Sequence, residues 1–195
     1  MGGSCIFVAL RNGEVSVGDN SMDRPCELFI RQSQNLLLKD YLPKIEKCLE
    51  VLPESDLWWR PNPSSNSVGN LLLHLSGNLH QWIVAGVGGL EDDRQRAQEF
   101  SADGGTNTAI LIGKLRATVQ QAVYVLDRLE QDLLEQPRTI QGIQITVLGA
   151  IYHAVEHFSM HVGQIIYITK LRTGRDLGFY AIGEDGAVQR GWCST

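Results

Sequence analysis

The chain has 195 residues and a formal net charge of −5, with 43% hydrophobic and 20% charged residues. That length fits one domain, and the apolar fraction is that of a chain folding around a core, which excludes intrinsic disorder. No run approaches the roughly 18 consecutive apolar residues of a membrane span, and no cluster of lysines or arginines provides the electrostatic footprint of a nucleic-acid or anionic-membrane binder.

The first 21 residues differ from the rest. Cys5 to Leu10 is strand-like and Asn12-Gly13 favours a tight turn, but the helical patterning begins only after Met22. Residues 1–21 therefore read as an N-terminal extension ahead of a domain spanning 22–195. The apolar patch has no basic region before it, so it is not a secretory signal, and Ile6 stands where myristoylation needs Ser or Thr. The four cysteines, Cys5, Cys26, Cys48 and Cys193, form no Cys-x-x-Cys pair and read as idle thiols. A cytoplasmic protein is expected.

From Asp23 the apolar residues recur every three or four positions. The first segment carries Leu38, Tyr41 or Leu42, Ile45, Cys48 or Leu49, and Leu52, and its phase passes through Pro43, so a kinked helix is predicted. The prolines of Trp58-Trp59-Arg60-Pro61-Asn62-Pro63 interrupt it. Ser67 then caps a second helix with Val68, Leu72, Leu75, Leu79 and Trp82 on one face. About 20 residues follow, with a short helix predicted around 92–100, started by Asp92-Asp93. An extended chain of that length, at about 3.3 Å per residue, can run the length of a bundle. The third helix holds Ile112, Leu115, Val119, Ala122, Leu126, Leu129 and Leu133 at 3-4 spacing, and the fourth carries Leu148, Ile151, Val155, Phe158, Val162 and Ile165 until Gly174 stops it. With no convincing strand between them, these segments predict an all-α four-helix bundle with a long crossover between helices 2 and 3. Ile110, Leu111, Val123 and Val125 lie off the third stripe, an apolar surplus that suits a partner surface.

Five histidines occur: His74, His80, His153, His157 and His161. Three stand at i, i+4 and i+8 on the fourth helix. Neighbours in that trio are about 6 Å apart along the axis and about 40° apart around it, so either adjacent pair can share one ion, whereas the outer pair, about 12 Å apart, cannot. His157 and His161 each precede a seam residue, Phe158 and Val162, and so flank the buried stripe. His74 precedes Leu75 in the same way on the second helix. Three neutral imidazoles from two helices would leave coordination positions open, as catalytic metal sites do. A histidine on an apolar helix is also commonly a boundary residue with no ligand role.

The residues then resemble a family. His157-Phe-Ser-Met-His161-Val-Gly-Gln164, paired with Leu71-Leu-Leu-His74-Leu-Ser-Gly-Asn78, is similar to the DinB/YfiT-type metalloenzymes. The likeness is closest to a subgroup with the segment seen here as Trp58-Trp59-Arg60-Pro61-Asn62 and Asn66-Ser67, and it runs from about Asp23 to Tyr180. The resemblance implies a bundle with one long crossover, usually a homodimer, and a divalent metal, nickel or zinc, held by His74, His157 and His161. His153 and His80 fall outside the matched positions. Small Gly163 beside Gln164, allowing close helix approach, also favours the His157/His161 pair. The resemblance further implies a metal-dependent thiol S-transferase acting on a small electrophile, with a low-molecular-weight thiol as co-substrate. A metal-dependent hydrolase and a non-catalytic stress-associated binding protein are the alternatives. No catalytic side chain is identified: Glu156 is rotated about 100° from His157, Ser76 and Ser159 lack nucleophile partners, Trp58, Trp59 and Trp82 read as core, and Arg60 and Arg175 as solvated ion pairs.

Overall fold

A computed structural model describes residues 23–191. The extension expected at 1–21, with Cys5, and also Cys193, lie outside the described residues. The first helical rod comprises α1 (Asp23–Asn35), a π-helical turn at Leu36–Tyr41 and α2 (Leu42–Val51). Pro43 sits in the first turn of α2. A proline ring clashes with the carbonyl four residues back and offers no N–H, and the wider π turn before it accommodates both defects. The same turn rotates the apolar phase, so Leu37 is fully buried and Leu38 only partly.

A second rod comprises α3 (Val68–Leu79) and a π turn at His80–Ala85. Ser67 and Asn70 cap it reciprocally, each side chain accepting the other's backbone N–H, at 3.2 and 3.0 Å. The crossover then carries a short helix, α4 (Arg96–Ser101), which starts later than expected. Asp92 does not open it; one carboxylate oxygen accepts from Gln81 and the other from the Arg94 backbone N–H.

The third rod, α5 (Thr108–Asp127), ends well before Leu133. Arg128 leaves helical geometry, and a 3-10 turn at Gln131–Glu135 buries Leu134 in place of Leu133. Strands β1 (Pro137–Ile140) and β2 (Ile143–Thr146) follow as an antiparallel hairpin, contrary to the expectation of no strand. Its turn residues, Gln141 and Gly142, have φ of 54° and 75°, the pair of positive values a two-residue hairpin needs. The fourth rod is α6 (Val147–Thr173), closed by left-handed Gly174 at φ 66°. A small hairpin, β3 (Tyr180–Ile182) with β4 (Val188–Arg190), ends the described chain.

Cross-links between rods define the topology. Trp58 and Glu54, just ahead of α3, bond the Thr106 carbonyl and the Thr108 N–H at the start of α5, and Gly88 past the end of the second rod packs on Val125. The second and third rods are therefore parallel, and the crossover runs back along the bundle. Gln34 reaches Val123 while Glu46 reaches Arg116, so the first rod is antiparallel to α5. Tyr41 stacks on Phe158 and Asp56 pairs with Arg172, so it is parallel to α6.

The core runs down the centre through Leu37, Ile45, Leu72, Leu75, Leu115, Val119, Ile151, Phe158 and Ile165. On α6 two expected seam residues depart from it. Leu148 is exposed, its place taken by Val147, and Val155 is only partly buried. The surplus expected on α5 is largely absorbed, because Leu111 is buried and Val123 and Val125 pack on the core, leaving Ile110 exposed. No helix among the described residues is long and apolar enough to cross a membrane.

Candidate metal centre

Antiparallel packing of α3 on α6 sets His74 against the middle of the fourth rod. His74 and His161 are buried and His157 partly so. The Nε2 atom of His157 lies 3.1 Å from Nε2 of His74 and 3.2 Å from Nε2 of His161. Two imidazole nitrogens bound to one ion at about 2.0–2.1 Å, between right-angled and tetrahedral geometry, lie about 2.8–3.4 Å apart. Both separations fall in that window, and one ligand nitrogen from each of the three rings lies within 4.8 Å of the others.

The outer nitrogens support the same geometry. Nδ1 of His161 faces Oε1 of Gln164 at 2.7 Å, and Nδ1 of His74 faces Oε2 of Glu99 at 2.9 Å. Oxygen acceptors at Nδ1 favour the tautomer protonated there, which turns the Nε2 lone pairs of both rings toward the shared point. Both lone pairs meet at Nε2 of His157, where a cation can take the place of the single proton that ring could share with them. The donor set thus fits a borderline divalent ion. Nδ1 of His157 is buried without a partner among the described residues.

Burial favours the neutral forms of the three histidines on α6. Burial, followed by the charges of His161, His74 and His153, pushes His157 down to about 3, and burial lowers His161 and His153 as well. Neutral imidazole is the form that binds a metal.

His153, the alternative partner of His157, lies apart from the three. Its ring centroid is 5.5 Å from that of His157 and 4.1 Å from that of buried Trp82. His80 faces elsewhere, into a cleft of about 710 Å³ between α3, α4 and α5. Gly163 admits no neighbouring helix, contrary to expectation: it is exposed, and a Cβ there would meet nothing within 4 Å. What distinguishes the 157/161 pair is the level at which His74 crosses α6. Among the described residues Arg60 has no ion-pair partner; its Nη2 donates to the Phe100 and Ala102 carbonyls, at 3.2 and 2.7 Å, at the end of α4. Glu156 is exposed.

Sequence reasoning missed two residues of the site, Glu99 and Arg94. Arg94 donates from Nε to Oε1 of Glu99 at 2.7 Å and from Nη2 to Oε2 at 2.8 Å, a bidentate pair, with its side chain 2% exposed. Burial would raise the Glu99 carboxyl, but hydrogen bonds from Arg94 and His74 hold it below its usual value. Phe100 adds a ring 4.7 Å from that of His74. The available sequence signal was Gly77, three residues beyond His74 on the same helix face. A Cβ there would lie 2.0 Å from Oε1 of Glu99, so the glycine admits the carboxylate.

The sequence matches the protein family of unknown function DUF1572 over residues 26–185. No curated protein matches it significantly. Among solved structures, a conserved protein of Enterococcus faecalis is similar with a TM-score of 0.62 at 20% identity, covering 74% of this chain and 97% of that one. A DinB-like protein of Bacillus subtilis, YjoA, is similar with a TM-score of 0.55 at 18% identity, covering 74% of this chain and 93% of that one. A DinB-like protein of Bacillus cereus has a TM-score of 0.54 at 16% identity, covering 69% and 89%. At such identities the likeness establishes the fold, in accord with the rods and crossover above. The chain belongs to the DUF1572 family and has the DinB-like four-helix-bundle fold.

Proposed function

We propose that His74, His157 and His161 hold one divalent ion, nickel or zinc, through their Nε2 atoms, and that the protein is a metal-dependent transferase joining a low-molecular-weight thiol to a small electrophile. The convergence of three Nε2 atoms from two helices carries this reading. Three protein ligands leave open positions, the arrangement of a catalytic rather than a structural site. A divalent ion there would lower the pKa of a thiol placed on it, and the thiolate is the nucleophile.

The chain's own contribution is to hold neutral imidazoles in place and to wall the site with Phe100, Trp82 and His153. Two of its own candidate nucleophiles are held back: Ser76 donates its hydroxyl to the Leu72 carbonyl, and burial raises the Cys48 thiol to about 11. An external thiol would supply the nucleophile. Cys26 and Cys48 are free thiols, in keeping with a reducing cytoplasmic setting where such thiols are abundant.

A homodimer formed by the outer face of α6 completes the reading. Leu148, Tyr152, Met160, Tyr167 and Leu171 lie on that face, and all are exposed, Tyr167 by 69%. Exposed large apolar side chains recurring along one helix are a common mark of a partner interface.

The test is metal analysis of untagged protein, followed by assay of an electrophile with glutathione, bacillithiol or mycothiol. One equivalent of nickel or zinc with thiol-dependent turnover is the expected outcome. Turnover without added thiol would point to a hydrolase, metal without turnover to a binding protein, and protein free of metal would refute the site.

A further inference from the structure

We propose that Glu99 is the positioning residue of this centre: seated against Gly77 and clamped by Arg94, it accepts the Nδ1 proton of His74 and keeps that ring's Nε2 aimed at the shared point. The inference rests on the metal reading and adds to it a group from outside the two ligand-bearing rods.

The geometry is directional. Oε2 of Glu99 lies 2.9 Å from Nδ1 of His74, the nitrogen on the far side of the ring from His157, so Glu99 addresses the histidine and not the ion; Nη2 of Arg94, 3.1 Å from the same nitrogen, donates to that carboxylate oxygen at the shorter distance of 2.8 Å. An imidazole on one ligand bond is free to swing, and a carboxylate on its other nitrogen fixes both tautomer and ring plane. Glu99 is itself fixed. Arg94 occupies both carboxylate oxygens, and its Nη1 is held by Oε1 of Gln81 at 2.9 Å. The backbone beneath Glu99 is tied as well. Asn70 Nδ2 donates to the Glu99 and Ala102 carbonyls at 2.9 and 2.7 Å, and Arg60 donates to those of Phe100 and Ala102. The Arg60–Asn70 stretch, which leads into the helix carrying His74, thus locks the crossover helix that delivers Glu99. Gly77 completes the arrangement, since any side chain there would collide with the carboxylate at 2.0 Å.

The experiment uses the full-length protein and Zn²⁺ alone, with affinity read by competition against a chromophoric chelator. Glu99→Ala is expected to weaken binding by about 10–100-fold, the usual effect of removing an outer partner of a ligating histidine. Glu99→Gln, whose amide oxygen still accepts, recovers part of that loss. Because Glu99→Ala strands buried Arg94, Gly77→Ala serves as the second variant. It keeps every polar group and favours the helix, yet displaces the carboxylate, so weakened binding is expected in a protein that still unfolds in one cooperative transition. Long-range ¹H–¹⁵N spectra of the metal-free protein should show His74 protonated at Nδ1 in wild type and a tautomer mixture in Glu99→Ala. Affinities within twofold of wild type for Glu99→Ala and Gly77→Ala, or an unchanged tautomer, would overturn the positioning role while leaving the metal centre intact. A wild-type protein that binds no Zn²⁺ would instead overturn the centre itself, and with it this role.

Discussion

Replacing each of the four clustered histidines by alanine should separate the two possible pairs on α6. With Nε2 separations of 3.1 and 3.2 Å, His74, His157 and His161 share one ion position, while His153 packs on Trp82. Metal that binds only the folded state at about 100 times its Kd stabilises it by about 2.7 kcal/mol. In a chain of this size each kcal/mol moves the melting temperature by roughly 2–4 °C. Added Zn²⁺ or Ni²⁺ should therefore raise the melting temperature of the untagged wild-type protein by about 5–11 °C. His153→Ala should keep most of that rise, whereas His74→Ala, His157→Ala and His161→Ala should each abolish it together with stoichiometric metal. Scanning fluorimetry beside metal analysis reads both quantities. Loss of the rise in His153→Ala with its retention in His161→Ala would refute the assignment.

Three further outcomes are expected. Deleting residues 1–21 should leave the bundle intact, and a melting temperature lowered by more than about 5 °C, of order 1 kcal/mol or more, would contradict it. Light scattering at micromolar concentration should find a dimer, converted to monomer by Tyr167→Asp on the exposed face of α6; a monomeric wild type would remove that interface. In metal-free protein His157 stays neutral down to about 3, whereas the unfolded chain takes up that proton near 6.5. The unfolded state then binds more protons, so stability falls as pH drops below about 6.5, by at most about 1 kcal/mol between pH 6.5 and 5.5 and roughly half that after solvent screening. Urea midpoints unchanged over that interval would refute the neutral cluster.

The sequence by itself determined the four rods, two of their caps and the crossover, because apolar spacing, Ser67 and Gly174 are local signals that the folded helices obey. It was legible even across Pro43. Local signals failed where a single residue changes the phase. The π turn at Leu36–Tyr41 exchanged Leu38 for Leu37, and the 3-10 turn at Gln131–Glu135 replaced the expected helix end at Leu133. Spacing on α6 offered two equivalent histidine pairs, and the family resemblance favoured one of them. Only tertiary structure places His74 beside His157 and His161, because the level at which two antiparallel helices cross depends on the packing of the whole core. Glu99 was beyond reach for the same reason. It meets His74 from the crossover, across 25 residues of sequence, and the one local trace of that meeting is the missing side chain at Gly77.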